Sequence, residues 1–208
     1  MNNKIHEILL KLEKQSQLEK QNKINIPENK KMLSITYATG KFLNLLLKYI
    51  KAKHILEIGT SVGYSALWFV DAVIHNDKQN CKVITIESDA YKIQQAKNNF
   101  MIAGVLDKIE IKHGDALQIL NAINQSKKNT HKFDFVFIDA DKNNIKKYFS
   151  VALSLIKTNG IIITDNILLP KKYNHIMTSY LEYIRNIPNV ITITLHVGNG
   201  EEMSIKIR

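Results

Sequence analysis

Cysteine is almost absent from this chain, and its absence removes two ways of building a stable or reactive protein. Cys81 is the only cysteine among the 208 residues, so the chain can form neither an internal disulfide nor a thiolate cage for a metal. The seven histidines are scattered without the short spacings that are typical of zinc ligands. The sequence therefore argues against a disulfide scaffold and against a zinc protein.

Long hydrophobic runs are absent as well. No apolar stretch approaches the roughly 20 residues that a membrane-spanning helix needs. The N-terminus turns polar within a few residues, so we expect no signal peptide. A hydrophobic content of 45% is nevertheless enough for one domain with a full core. We predict a cytoplasmic protein that does not associate with membranes.

Acidic residues are fewer than basic residues in this chain. The 29 Lys and Arg residues outnumber the 19 Asp and Glu residues, which leaves a net charge of +10. Such a surplus can attract nucleic acid or another polyanion. The sequence has no arginine-rich arm and no basic strip interleaved with aromatic residues. Both a nucleic-acid partner and a compositional bias without function therefore stay open.

Strands and helices alternate through most of the chain. A helix with apolar residues at helical spacing comes first, a polar lysine-rich stretch at residues 14–31 follows as an exposed helix end and linker, and a second helix covers residues 42–50. The predicted strands are His54–Ile58, Lys82–Glu87, 109–112, Phe133–Ile138 and 160–164. The predicted helices between them are 64–74, 91–103, 116–123 and 143–156, with a polar loop at 125–132. This alternation predicts a doubly wound α/β fold with a parallel sheet.

The end of the chain breaks the alternation. After a predicted helix at 180–186, two apolar strands at 190–196 and 203–207 flank Gly198-Asn199-Gly200, which is typical of a hairpin turn. We therefore predict a mostly parallel, seven-stranded sheet that ends in an antiparallel hairpin. In domain terms, residues 1–31 form an N-terminal helix and linker, and residues 32–208 form one α/β domain.

Polar side chains follow two of the predicted strands. Phe137-Ile138-Asp139-Ala140-Asp141-Lys142 and Ile163-Thr164-Asp165-Asn166 each end an apolar run. If the two strands are parallel neighbours, both clusters lie at the carboxyl edge of the sheet, where open α/β sheets bind ligands. Two aspartates and an asparagine offer the hard oxygen atoms that Mg²⁺ or Ca²⁺ prefers.

A glycine-containing loop follows the first strand, in Glu57-Ile58-Gly59-Thr60-Ser61-Val62-Gly63-Tyr64-Ser65. Glycine lets the backbone approach a ligand, and the next helix points its N-terminal amides at the same place. Glu87 ends the second strand, where an acidic residue can accept hydrogen bonds from ribose hydroxyls. Together these features indicate a nucleoside site. The spacing is not G-x-G-x-x-G, which argues against a nicotinamide dehydrogenase.

Five motifs, in this order, resemble the metal-dependent class I O-methyltransferases, the family of catechol and caffeoyl-coenzyme A O-methyltransferases and their bacterial relatives. The motifs are Glu57-Ile58-Gly59-Thr60-x-x-Gly63-Tyr64-Ser65-Ala66, Thr85-Ile86-Glu87, Gly114-Asp115-Ala116, Phe137-Ile138-Asp139-Ala140-Asp141-Lys142 and Thr164-Asp165-Asn166. The resemblance covers residues 33–208. It implies the Rossmann-like class I methyltransferase fold and a homodimer.

The resemblance implies that S-adenosylmethionine (SAM) binds at the glycine loop. It places Glu57, Gly59, Thr60 and Ser65 around the methionine end of the cofactor and makes Gly63 a further cofactor-binding residue. It also implies Glu87 at the ribose, Asp115 and Ala116 at the adenine, Ser34 and Ile35 as a cover, and Asp141 near the cofactor's amino group. For Asp115 and Asp141, the cap of the helix that follows is a second interpretation.

The resemblance also implies a metal site and a base. Asp139, Asp165 and Asn166 match the family's ligands for a divalent cation, usually Mg²⁺, with Ca²⁺ or Mn²⁺ as alternatives. A bound cation lowers the pKa of a coordinated substrate hydroxyl. Lys142 matches the general base that takes the proton, so Asp139 and Lys142 are the predicted catalytic residues.

Three functions are consistent with these features. The first two differ in the acceptor of the methyl group, and the third has no acceptor. The first is methylation of a hydroxyl on a small catechol-like phenol or diol. The alternative is methylation of a hydroxylated wobble uridine in tRNA, and the second alternative is a SAM-binding protein without turnover. Residues 167–178 form a shorter segment than in the relatives, and Leu181 replaces an asparagine that many of them carry. These departures argue against a coenzyme A thioester.

Overall fold

A computed structural model of the protein describes residues 2–126 and 133–208. The helices are α1 (Asn3–Lys20), α2 (Tyr37–Tyr49), α3 (Tyr64–Asn76), α4 (Ala90–Ala103), α5 (Ala116–Gln125), α6 (Ile145–Leu155) and α7 (Asn174–Arg185). The strands are β1 (His54–Ile58), β2 (Lys82–Glu87), β3 (Ile109–His113), β4 (Phe133–Ile138), β5 (Ile156–Asp165), β6 (Val190–Leu195) and β7 (Glu201–Lys206). The predicted loop at 125–132 falls largely outside the described residues.

The seven strands form one sheet in the order β3-β2-β1-β4-β5-β7-β6. Strands β1 to β5 run parallel, and β7 pairs antiparallel with both β5 and β6. This confirms the predicted fold, including the C-terminal hairpin. Because β4 and β5 are parallel neighbours, with Ile138 opposite Thr164, the polar clusters that follow them share one edge.

Two apolar layers bury the faces of the sheet. Helices α1 to α4 cover one face, where Phe135, Phe137 and Ile163 point. Helices α5 to α7 cover the other face, where Val136, Ile138 and others pack. Strands buried on both faces read as continuous apolar runs, which is why β1, β4 and β5 could be identified in the sequence. No helix in the described ranges is long and apolar enough to cross a membrane.

The N-terminal region differs most from its prediction. Helix α1 extends to Lys20, and Ser16 and Glu19 in the stretch predicted to be exposed are buried. Glu19 Oε2 accepts a hydrogen bond of 2.8 Å from the backbone N–H of Met32. Ser16 bonds the Ser34 hydroxyl at 2.9 Å. The polar residues of α1 therefore hold the segment that leads into α2, instead of facing water.

Candidate active site

A cavity of about 740 Å³ opens at the carboxyl edge of the sheet. Most of the predicted site residues line it: Ser34, Ile35, Gly59, Thr60, Ser65, Glu87, Asp115, Ala116, Asp139, Asp141, Lys142, Asp165 and Asn166. Glu57 and Gly63 are the two predicted residues that do not line it. The structure thus brings the cofactor and metal predictions together in one place, which separate motifs in the sequence could only suggest.

The glycine loop lets two strand ends meet at the floor of the cavity. Gly59 has φ +103°, and a Cβ atom there would overlap the backbone carbonyl oxygen of Asp139. The Asp139 N–H in turn donates to the Ile58 carbonyl at 2.9 Å. Only glycine permits this approach of β1 to the segment after β4. Gly59 therefore determines how close the metal motif comes to the predicted cofactor loop.

Gly63 has a packing role in this structure. It caps α3 with φ +86°, and a Cβ atom there would overlap the ring of Phe100 on α4. Gly63 does not line the cavity. Its direct contact with a cofactor therefore stays a prediction that comes from the resemblance alone. The glycine brings α4 against the N-terminus of α3, whose first-turn residue Ser65 does line the cavity.

Backbone N–H groups hold Glu87 in the part of the cavity where a cofactor is predicted. Its Oε2 accepts from the Ser61 N–H at 2.8 Å, and its Oε1 accepts from the N–H groups of Ser88 and Asp89 at 2.9 and 3.0 Å. Three backbone donors fix the side chain at the end of β2 before any ligand arrives. This arrangement is suited to binding a pair of ribose hydroxyls.

Asp115 and Asp141 cap the elements that follow them, and their contact with a cofactor stays a prediction. Asp115 accepts from the Gln118 N–H at 2.9 Å and so caps α5. Asp141 accepts from the Asn144 N–H at 3.1 Å and from the Tyr148 hydroxyl. Both residues also line the cavity. The caps hold these carboxylates at the cavity wall, because each helix or turn begins there.

Lys142 lies buried between the two polar clusters. Its side chain is only 5% exposed. Its Nζ is 3.2 Å from Asp139 Oδ1 and 3.4 Å from the backbone carbonyl oxygen of Asp165. A buried ammonium needs such partners. The ammonium therefore joins the end of β4 to the end of β5, and the cavity reaches it.

The two aspartates repel each other. Asp165 is buried, and burial, followed by the charge of Asp139, raises its pKa well above the usual range. Its Oδ1 accepts from the Asn166 N–H at 2.6 Å. A divalent cation beside these carboxylates would relieve the repulsion, so the set of two aspartates and one asparagine fits such an ion. No three His, Cys, Asp or Glu side chains among the described residues form a metal-binding group.

The wall opposite the cofactor loop is built from two short segments. Pro170, Tyr173 and Asn199 line this part of the cavity. The N–H groups of Leu168 and Leu169 both donate to the Asn199 carbonyl at 3.0 Å. The segment after β5 and the turn of the β6–β7 hairpin are therefore one hydrogen-bonded unit. Sequence reasoning predicted the turn but did not place it at the site.

Two further groups at this edge were not predicted from the sequence. Lys20, Lys92 and Lys172 line the cavity, although they come from α1, α4 and the segment after β5. Glu201, the first residue of β7, lies opposite Asp165 in the sheet register. The signal for Glu201 was present in the sequence, since Glu201-Glu202 begins an otherwise apolar alternating strand.

The buried carboxyl group of Glu57 gives an expectation for pH dependence. It is fully buried under the loop, and burial raises its pKa to about 8, against the opposing effect of the Ser65 and Thr85 hydroxyls. Because this pKa exceeds the unfolded value of 4.5, the folded state binds the proton more tightly. The free energy of unfolding should therefore fall as the pH rises from about 5 to about 8, by up to roughly 1.4 kcal/mol per pH unit from this group.

The Glu57→Gln variant removes that contribution. We expect a shallower decline of stability with pH than in the unmodified protein, measured as the urea unfolding free energy at pH 5.5 and pH 8.5. Glu7→Gln, at an exposed position on α1, is the matched control and should leave the decline unchanged. Equal pH slopes for Glu57→Gln and the unmodified protein would contradict the buried, protonated state of Glu57.

Comparison with known proteins agrees with the site. A family model described as O-methyltransferase matches residues 6–196. A catechol O-methyltransferase of Niastella koreensis is 36% identical over 136 residues, which are 65% of this chain and 59% of that protein. A caffeoyl-CoA O-methyltransferase of Citrus natsudaidai is 33% identical over 183 residues, which are 81% of this chain and 77% of that protein. The chain thus spans less than two thirds of the Niastella relative.

Solved structures are similar along almost the whole chain. An O-methyltransferase of Bacillus cereus, in complex with SAH, has a TM-score of 0.78 and 28% identity, covering 99% of this chain and 91% of that one. The O-methyltransferase TomG of Streptomyces achromogenes, in complex with SAM, has a TM-score of 0.79 and 27% identity, covering 97% and 90%.

Proposed function

Because this chain belongs to the O-methyltransferase family, we propose that it transfers the methyl group of SAM to a hydroxyl of a small catechol-like phenol, with the help of a divalent cation such as Mg²⁺. The observation that carries the proposal is the position of Lys142. Its Nζ joins Asp139 to the end of β5 inside the cavity that Glu87 also lines. A base, an oxygen-ligand set and a nucleoside-binding carboxylate therefore share one cavity.

The cofactor half of the cavity supports SAM as the methyl donor. Glu87 is prepared to accept the ribose hydroxyls, and Asp115 with Ala116 lines the wall where the adenine would lie. Ser34 and Ile35 line the cavity, and Ser16 of α1 bonds the Ser34 hydroxyl. In TomG and the Bacillus cereus relative the same fold holds SAM and SAH.

The catalytic half has the parts that an O-methyl transfer needs. When bound, SAM supplies an electrophilic methyl group, and a divalent cation supplies the charge that lowers the pKa of a coordinated hydroxyl. Asp139, Asp165 and Asn166 would hold the cation. Lys142, as a neutral amine, would accept the hydroxyl proton and become the ammonium, and the carbonyl oxygen of Asp165 orients its Nζ. The cavity aligns the acceptor oxygen with the methyl group, and alignment of this kind can contribute several kcal/mol.

The acceptor wall supports a small planar phenol. Pro170 and Tyr173 offer apolar contact to a ring, and both lie at the cavity beyond the metal motif. Asp139 and Asp165 line the same cavity, so two adjacent hydroxyls of such a ring would meet them there. We expect the protein to act as a monomethylating enzyme on such a diol.

Methyl-labelled SAM tests the proposal directly. We expect label to enter catechol when Mg²⁺ is present, and EDTA to reduce the transfer to the background rate. Added Mg²⁺ in excess of the chelator should restore it. Transfer that continues unchanged in EDTA would refute the divalent cation, and SAM binding without transfer to either acceptor would support the non-catalytic alternative.

A tRNA acceptor is the second candidate, and the cavity mouth favours it in one respect. Lys20, Lys92 and Lys172 line the cavity, and the chain carries a net charge of +10. Lysines so placed can contact phosphates on either side of an inserted base. The labelling assay therefore includes tRNA that lacks wobble methylation. Label in tRNA alone, with retention that weakens as salt rises, would replace the phenol by a nucleoside acceptor.

A further inference from the structure

A buried glutamate of α1 holds the chain segment that precedes α2. The side chain of Glu19 is buried, and its Oε2 accepts a hydrogen bond of 2.8 Å from the Met32 N–H. Its Oε1 accepts from the side-chain amide of Gln15 at 2.9 Å. Both carboxylate oxygens therefore have donors. Glu19 does not line the cavity itself, so it can act on a ligand there only through Met32.

The Met32 peptide connects Glu19 to the carboxylate that is predicted to bind the ribose. The carbonyl oxygen of Met32 accepts a hydrogen bond from the Ser61 hydroxyl. The N–H of the same serine donates to Glu87 Oε2 at 2.8 Å. A continuous chain of hydrogen bonds thus runs from α1 through Met32 and the glycine loop to Glu87.

Leu33, the next residue along the chain, is strained and exposed at the same place. Its φ of +48° lies in a region that residues other than glycine rarely adopt. The residue is apolar, yet it is 67% exposed, and it lines the cavity. Strained conformations persist where the surrounding structure holds them, and they are concentrated at ligand sites. The two hydrogen bonds of Met32 hold this one, and they present an apolar side chain to whatever occupies the cavity.

We propose that Glu19 is a positioning residue for SAM, and that it slows the release of the bound cofactor. Through the Met32 N–H it keeps residues 33–35 at the wall of the cofactor half of the cavity. Without that acceptor the Met32 peptide would be held on one side only, and Leu33 would relax from its strained conformation. This inference rests on SAM as the methyl donor in the proposed function.

The test is SAM binding, measured without an acceptor. Equilibrium dialysis with labelled SAM gives the affinity of the full-length protein, and rapid filtration after a chase of unlabelled SAM gives the release rate. For Glu19→Ala we expect roughly tenfold weaker binding, because a buried N–H loses its acceptor. Most of that loss should be a faster release. Glu19→Gln keeps an oxygen that can accept from Met32, and it should bind SAM more tightly than Glu19→Ala.

Ser61→Ala tests the path through Met32. This change removes the hydroxyl that bonds the Met32 carbonyl and keeps the N–H that donates to Glu87, and we expect it to weaken SAM binding as well. Because both changes release the same peptide, the double variant Glu19→Ala/Ser61→Ala should weaken binding by less than the product of the two single effects. A double effect equal to that product would contradict the path.

Ile5→Val is the matched control, because it removes one methylene group from a fully buried position near the start of α1. It should weaken the packing of the helix and leave the binding and release of SAM as in the unmodified protein. The inference would be overturned if Glu19→Ala bound and released SAM as the unmodified protein does, or if Ile5→Val lost as much affinity as Glu19→Ala.

The same measurements distinguish this inference from the proposed function. An unmodified protein that bound SAM but methylated no acceptor would refute catalysis, and a weaker affinity in Glu19→Ala would still support the inference. An unmodified protein that bound no SAM would refute both.

Discussion

Replacing Lys142 by alanine is expected to lower kcat for methyl transfer by about 10²–10⁴-fold, the range associated with loss of a general base. The affinity for SAM should stay nearly unchanged, because Lys142 bonds Asp139 and Asp165 and not the residues of the cofactor half. Single-turnover transfer from labelled SAM measures the first quantity, and equilibrium dialysis with labelled SAM measures the second.

Lys147→Ala is the control for that experiment. Lys147 is an exposed lysine of α6, five residues along the chain, and its loss should leave both quantities unchanged. The two readouts separate the roles open to Lys142. A large loss of SAM affinity would make Lys142 a cofactor-binding residue, and an undiminished kcat would remove it from the proton transfer.

Replacing Gly59 by alanine is expected to destabilise the protein by at least about 3 kcal/mol. Alanine at φ +103° is strained, and its Cβ atom would overlap the Asp139 carbonyl oxygen, which is backbone and cannot rotate away. The strand ends would have to separate, and the segment that carries Asp139 would move with them. The urea unfolding free energy at neutral pH measures the loss, and methyl transfer should fall even where the variant is folded.

The Gly104→Ala variant is the control that distinguishes backbone strain from the steric overlap at Gly59. Gly104 also has a left-handed conformation, with φ +71°, at the end of α4, but a Cβ atom there would meet no atom within 4 Å. We expect that variant to lose only about 1 kcal/mol and to keep its activity. Equal unfolding free energies for the two glycine variants would contradict the expectation that the close approach of β1 to the Asp139 segment contributes to stability.

The parallel part of the fold follows from the sequence because its strands are buried on both faces. His54–Ile58, Lys82–Glu87 and Phe133–Ile138 have the predicted bounds, since a continuous apolar run can only be satisfied between two helix layers. Strand β5 begins four residues earlier than predicted, at Ile156, because the chain passes directly from α6 into the sheet. Helix α7 begins at Asn174, before the apolar positions that marked it.

The Asp139 and Asp165 edge was equally predictable, because parallel neighbours end on the same side. The part that could not be predicted depends on the last two strands. The sequence indicates a hairpin but not which of its strands joins β5, and β7, the later one, does so. Only that order brings Glu201 beside Asp165. The burial of Glu19 could not be predicted either, for a different reason. Its partner is the backbone N–H of Met32, and a backbone partner leaves no pattern in the sequence of side chains.

The hydrogen bonds from Leu168 and Leu169 to Asn199 have an evolutionary consequence. The wall against which an acceptor would rest is made from two brief connections, and neither contributes to the carboxylate that is prepared for the ribose. Mutations in these connections can therefore diversify the acceptor range while the donor half is inherited intact. The stretch at 167–178 is therefore the place where changes of sequence would alter this wall and leave the Glu87 side of the cavity unchanged.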